Sequence, residues 1–416
     1  MMNDKWFKMD NVAKVFLATC NLRDTRSFRV SCTLKEPVDK ELLQQAIEKT
    51  VKQRPQFQVL IHKGVFWHYM EMTNKEPVVE EENQRPCPYL YGRGFEGKLH
   101  YRVTYFRNRI NLDMFHALTD GNGGMEFLNI IVLNYLQLKY PGKLDKVSVF
   151  SGASQADLEE DSFKHFYGKK GKPVLGTKKS YHIRGLKLPY NQLQFMEFHM
   201  SAQEMLKRAK AVHASLTSYL GASLMLAVYR DMPALQKNKP ITISMPVNLR
   251  NFYPSATSRN FFNSVYVSHT FSGEETIETL AQQFDTDLKA ELKPEKMKER
   301  MDNYEYMEQA FFVRMVPLFI KNPVVKFFAR QESKKVTAVV SNLGRLQVEA
   351  EMEPYIQGYS AYCSTSTLFI TICSYGDDLT LGVATAYRNT SVLRNFIKTF
   401  TDDGVEVTAY ASEVIY

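Results

Sequence analysis

Residues 99–116 read LHYRVTYFRNRINLDMFH, and residues 368–385 read LFITICSYGDDLTLGVAT. The two align without a gap. Leu99, Tyr101, Val103, Ile110, Leu112 and Met114 fall opposite Leu368, Ile370, Ile372, Leu379, Leu381 and Val383. Apolar residues alternating on both sides of a short polar turn mark a half-buried antiparallel hairpin. Each hairpin then runs into a helical pattern. In the first copy Leu128, Ile131, Val132, Tyr135 and Leu136 share a face, and in the second the helix is SVLRNFIKTF (391–400). A strand–strand–helix unit met twice is a degenerate repeat, which predicts an α/β protein of two tandem lobes.

Further elements follow outward from these hairpins. FRVSCTLK (28–35) reads as a strand and DKELLQQAIEKTVKQR (39–54) as an amphipathic helix, with extended runs at 56–63 and 66–72. The helix after the first hairpin spans 122–140 and stops before Pro141-Gly142. After residue 190 the pattern restarts as a strand over 193–200 and a helix over 201–214, with Ser201 and Glu204 in capping-box spacing. Between the halves, residues 164–187 hold eight Lys or Arg and no acid. Such charge runs are usually solvated, and a contact with a phosphate or a carrier protein is the alternative. The expected organisation is an N-terminal lobe over 1–165, a basic linker or crossover over 166–190, and a C-terminal lobe over 191–416. The Met- and Phe-rich stretch 302–328 reads as a core helix broken at Pro317 and Pro323. Lining an acyl channel or facing a membrane are its other readings.

At 416 residues the chain exceeds one small core, and 44% hydrophobic with 12% aromatic residues is the composition of a folded protein. Basic side chains outnumber acidic ones 53 to 45, a net +8 that suits a phosphorylated ligand or an ordinary surface equally well. Cys20, Cys32, Cys87, Cys363 and Cys373 are scattered and lack C-x-x-C spacing, so the expectation is no metal, no disulfide framework and a reducing, cytoplasmic setting. His62, His68, His100 and His165 show no ligand spacing. No signal-peptide pattern opens the chain and no run of apolar residues is long enough to span a membrane. The basic run lacks interleaved aromatics beyond Phe166, Tyr167 and Tyr181 and matches no nucleic-acid-binding module, so no nucleic acid is expected as partner.

The two copies differ where the hairpin ends. The first continues FHALTDGNGG, and the second has Thr385 opposite His116 and Asn389 opposite Asp120. A neutral imidazole at a strand end can take a proton from an alcohol or amine near neutral pH. Asp120 could orient it or brace the loop through an arginine, and Gly121 would let the backbone turn tightly where a side chain would collide. No G-x-S-x-G elbow supplies a nucleophile, which favours direct attack of an acceptor on an activated acyl donor. The plainer alternative makes His116 a core histidine and Asp120 a helix N-cap.

FHALTDGNGG resembles the H-x-x-x-D-G motif of the chloramphenicol-acetyltransferase-like superfamily, which includes alcohol acetyltransferases, polyketide-associated acyltransferases and peptide-synthetase condensation domains. ITISMPVNLRNFYPSATSRNFF (241–262) resembles the strand-plus-arginine segment of its bacterial alcohol-acetyltransferase-like members, and VSNLG (340–344) a loop near their tunnel. The resemblance implies two α/β lobes in a V-shaped pseudo-dimer around a central tunnel. It implies His116 as general base, Asp120 pairing with Arg250 as structural support, Gly121 at the turn, and Ser341 and Asn342 near the tunnel or oxyanion. The donor would be an acyl thioester, with acyl-CoA as co-substrate, acetyl-CoA first, and no tightly bound cofactor. The acceptor would be a small alcohol or amine. An acyl carrier protein acting in trans is the alternative donor, and a catalytically silent binding protein of the same fold is the alternative function. Phe115 stands where many condensation domains have a first histidine, and the DFGWG loop of the plant enzymes is missing.

Overall fold

The computed structural model describes residues 6–148, 153–168, 171, 179–190, 192–309 and 316–412. In its first half the chain forms β1 (Trp6–Lys8), α1 (Asn11–Thr19), β2 (Ser27–Leu34), α2 (Lys40–Gln53), β3 (Val59–Lys63), β4 (His68–Met72) and β5 (Val79–Glu81). The first hairpin, β6 (Tyr101–Phe106) and β7 (Arg109–Phe115), leads into α3 (Gly121–Lys139), and the short helices α4 (Gln155–Glu159) and α5 (Ser162–His165) follow. The second half opens with β8 (Gln194–Ser201), α6 (Ala202–Ala211), α7 (Leu216–Asp231), β9 (Ile241–Asn248), β10 (Phe262–His269), α8 (Ile277–Glu291) and α9 (Pro294–Gln309). It continues through α10 (Leu318–Ser333), β11 (Ala338–Arg345), β12 (Ile356–Cys363), β13 (Leu368–Tyr375), β14 (Asp378–Thr385), α11 (Ser391–Thr401) and β15 (Thr408–Ala411).

Both hairpins form in the register that the repeat predicts. Val103 faces Leu112 and Tyr101 faces Met114, while Ile370 faces Val383 and Ile372 faces Leu381. Even the turns correspond: Arg107 and Gly376, opposite each other in the alignment, both adopt a left-handed backbone, with φ of 54° and 60°. Glycine takes that conformation freely; arginine takes it at a cost the surrounding ladder must offset.

The strands build a mixed α/β architecture of three sheets. One has the order β12-β2-β7-β6-β5, one β10-β9-β11-β13-β14-β8-β15, and a small one β1-β4-β3. Apolar alternation feeds a separate buried cluster behind each large sheet. Strand β12 departs from the expected division at residue 191. It leaves the C-terminal half and pairs with β2 of the first sheet, Tyr359 opposite Cys32 and Ala361 opposite Val30. Residue alternation says which side of a strand is buried, not which sheet it joins, so a strand crossing between halves is invisible in the pattern. Where β12 crosses, the halves approach closely. A Cβ on Gly382 of β14 would lie 1.8 Å from the Ala361 carbonyl oxygen. A partly buried ion pair joins the same region, Arg109 donating to both carboxylate oxygens of Glu197 at 2.7 and 2.9 Å.

Two further expectations change. The basic run lies partly outside the described residues, yet its far end is not a solvated loop, since Tyr181 and Ile183 are buried in the second core. The 302–328 stretch is not one core helix. Residues 310–315 lie outside the described residues, α10 starts after Pro317 and continues through Pro323, and of its residues Leu318 alone is buried. Periodicity detects an apolar stripe but not whether a partner covers it. No single helix among the described residues is long and apolar enough to cross a membrane.

Candidate functional site

The site lies where the first sheet meets the second. Strand β7 ends at the buried Phe115, and the His116 amide makes a last ladder bond to the Arg26 carbonyl at 2.8 Å. A turn closed by the Leu118 amide on the Phe115 carbonyl then delivers the chain to α3. This places the half-buried His116 imidazole among aromatic rings, with centroids 4.5 Å from Phe16, 4.9 Å from Phe28 and 5.7 Å from Phe262. Phe16 comes from α1, Phe28 from β2 and Phe262 from β10 of the other sheet.

One polar contact orients the ring. His116 Nδ1 lies 3.1 Å from Asn260 Oδ1. The Asn260 amide is itself fixed, because its Nδ2 donates to Asp10 Oδ2 at 3.3 Å. That leaves the amide oxygen toward the ring, so Nδ1 carries the proton and Nε2 keeps its lone pair. Burial lowers the His116 pKa below the ordinary histidine value and so favours the neutral ring, while the Asp120 charge pulls the other way. Asp10 also N-caps α1, accepting from the Ala13 amide at 2.7 Å. Burial, followed by the nearby Asp161 charge, pushes its carboxyl up to about 6.

Asp120 faces other partners. Its Oδ2 accepts from Arg250 Nη1 at 2.7 Å and from the Phe261 amide at 2.9 Å, and its Oδ1 caps α3 through the Gly123 amide at 3.1 Å. Arg250 Nη2 donates to the carbonyls of Thr257 and Arg259, both at 2.7 Å, and Nη1 also reaches Asn248 Oδ1 at 3.2 Å. The pair therefore pins the loop that presents Asn260 and Phe262 to the α3 N-terminus. At Gly121 a side chain would collide, as the sequence suggested, though the backbone is not in the left-handed region. A Cβ there would meet Leu343 Cδ2 at 3.0 Å.

Leu343 also fixes where Ser341 and Asn342 lie. They sit on β11 at an irregularity in its pairing with β13, beside the leucine that touches Gly121. Asn342 is occupied locally, Nδ2 donating to Thr217 Oγ1 at 2.7 Å and Oδ1 accepting from the Gly344 amide at 2.7 Å. The structure thus gathers His116, Asp120, Gly121 and Arg250 into one place, with Ser341 and Asn342 on its border. Sequence reading missed Asn260, Asp10 and the three phenylalanines. Asn260 sat inside the quoted 241–262 segment, and Asp10 carried only an ordinary cap signal before an apolar helix. Among the described residues no group of three or more His, Cys, Asp or Glu could hold a metal ion.

Residues 188–366 match the family model for alcohol acetyltransferase, a span that contains Arg250, Asn260 and β11 but not His116. No curated protein matches the chain in sequence. In fold the chain is similar to polyketide synthase associated protein 5 from Mycobacterium tuberculosis, at 13% identity and a TM-score of 0.61, covering 94% of this chain and 96% of that one. It is also similar to TRI101 of F. sporotrichioides, solved with coenzyme A and T-2, at 12% identity, a TM-score of 0.60, and 98% and 99% coverage. The first condensation domain of the CDA synthetase is a third such structure, at 11% identity, a TM-score of 0.61, and 95% of both chains. The chain therefore has the mixed α/β fold of these structures, and the alcohol acetyltransferase match over residues 188–366 supports an acyltransferase.

Proposed function

We propose that the protein transfers an acyl group from an acyl-CoA thioester, acetyl-CoA first, to a hydroxyl or amine, with His116 as general base and no covalent enzyme intermediate. The observation that carries this reading is the His116–Asn260 hydrogen bond, which leaves a neutral imidazole with Nε2 available beside aromatic walls. Nε2 takes the acceptor's proton as its oxygen or nitrogen attacks the thioester carbonyl. The tetrahedral adduct then collapses, the carbon–sulfur bond breaks, and the imidazolium returns the proton to the departing thiolate. The donor and acceptor would meet in a tunnel between the two large sheets, with Ser341 and Asn342 near the tunnel or the oxyanion. The two coenzyme A-bound and condensation-type neighbours make free CoA and a carrier-protein thioester the two donors to compare. Five free cysteines favour a reducing, cytoplasmic setting.

The test is thiol release from acetyl-CoA and longer acyl-CoAs with a panel of alcohols and amines. Acceptor-dependent release is the expected result; none with any pair, from folded protein, would turn the proposal toward a carrier-bound donor or a silent binding protein. The pH dependence follows in sign from the environment of His116. Its pKa is lowered, so the base stays competent below the ordinary value of 6.5, and kcat/KM should fall on the acid side only once pH drops beneath that value. An acid limb at or above 6.5 would count against His116 as the titrating base.

Asn260 supplies a sharper check. Asn260→Ala removes the acceptor for Nδ1–H, and kcat should fall on the order of 10- to 100-fold with KM little changed, the usual effect of losing a group that orients an imidazole. Asn260→Asp keeps the acceptor but adds negative charge that stabilises the imidazolium, so the acid limb should move to higher pH. A merely structural asparagine would leave the limb where it was.

A further inference from the structure

Helix α10 is oriented inside out. The helix packs against α1, with Leu318 buried and Asn322, Val325 and Ala329 on the same face partly covered. On the opposite side Phe319 is 72% exposed and Phe327 57%, with Ile320, Val324 and Phe328 also exposed around them. A second apolar projection is bonded to the start of this helix. The tip of the β3–β4 hairpin exposes Val65 and Trp67, its Val65 carbonyl accepts from the Leu318 amide at 2.8 Å, and its Phe66 carbonyl accepts from Lys321 Nζ at 3.0 Å. Seven large apolar side chains on two joined elements form a patch, unlike the single scattered ones common on protein surfaces.

The rim of this patch is basic. Lys63 closes the hairpin, and Lys321, Lys326 and Arg330 flank the apolar arc of α10. The acid of that helix is Glu332 in its last turn, held by Lys335. The buried His68 beneath the hairpin reports the local field. Burial first, then the Lys63 and Lys321 charges, hold it down at about 4.

We propose that α10 and the β3–β4 tip dock the protein on an anionic lipid surface, the apolar side chains entering the headgroup boundary and the lysines and Arg330 meeting lipid phosphates. An apolar face of Trp and Phe bordered by Lys and Arg is the composition that partitions into such an interface. The overall charge of +8 adds attraction of the same sign. A second copy of the chain fits less well, because a twofold contact through this face would set the two basic rims against each other. The inference stands independently of the acyl-transfer reading.

The full chain tests it directly. Co-sedimentation with vesicles of phosphatidylcholine plus phosphatidylglycerol should be strong, should weaken with salt, and should be slight with phosphatidylcholine alone. Phe319→Glu with Phe327→Glu should lower partitioning more than tenfold while circular dichroism stays native, since both side chains point outward. Trp6→Phe leaves Trp67 as the sole tryptophan, whose emission should shift to the blue on anionic vesicles. Absent binding, unchanged binding by the double variant, or an unshifted Trp67 would each overturn the proposal. So would a dimer in sedimentation velocity that the double variant dissolves, which would assign the patch to a second copy.

Discussion

His116→Ala is expected to lower acceptor-dependent thiol release by about 10²- to 10⁴-fold while the protein remains folded. The size follows from what the ring does and from what is left behind. The substitution removes the neutral imidazole proposed as the base, with Nδ1 committed to Asn260. It leaves Asp120, Arg250 and the α3 cap untouched, because none of their bonds involves the imidazole. The folding cost should be modest, since a half-buried ring is lost and its three phenylalanine neighbours can close inward. His116→Gln checks the distinction between shape and basicity. It keeps a polar side chain of similar reach but cannot hold a proton, and it should be as inactive as alanine. A glutamine variant retaining more than a tenth of the rate would remove His116 from the chemistry and return it to the role of a core histidine.

Legibility in the sequence followed what each residue's role depends on. The hairpin repeat was readable because both copies obey a period of two, down to the matching left-handed turn residues Arg107 and Gly376. Asp120 as cap and Arg250 as its partner could be named in advance, since a carboxylate before a helix and a guanidinium on a strand end are local signals that a resemblance can join. Asn260 was not, because an asparagine's value here comes from two long-range contacts, to His116 and to Asp10, that no spacing encodes. Gly121 was named for a side-chain collision, but the group it would collide with was not. That neighbour, Leu343, lies far along the chain, and its approach has no one-dimensional trace. The crossing of β12 and the outward face of α10 share this cause: pattern shows that a face is apolar, and only topology shows what meets it.

Arg250→Met should cost about 3–5 kcal/mol of stability, the range for removing one partner of a buried ion pair. Asp120 is buried, and without the guanidinium it would keep only the amide donors of Phe261 and Gly123 for a full negative charge. The Thr257 and Arg259 carbonyls would lose their donors at the same time, freeing the loop that carries Asn260. Activity should therefore fall together with stability, although Arg250 lies off the imidazole and does not touch it. The cause can be separated by charge. Asp120→Asn in the Arg250→Met background removes the unpaired carboxylate yet keeps an oxygen to cap α3, so it should recover part of the lost stability on urea denaturation. It should not restore kcat, because the amide cannot re-anchor the 257–261 loop. An Arg250→Met protein within about 1 kcal/mol of the parent would mean that the pair is solvated enough to be worth no more than a surface salt bridge. In that case the rigid presentation of Asn260 to His116 would need another source, and the two amides on Asp120 would be the place to look.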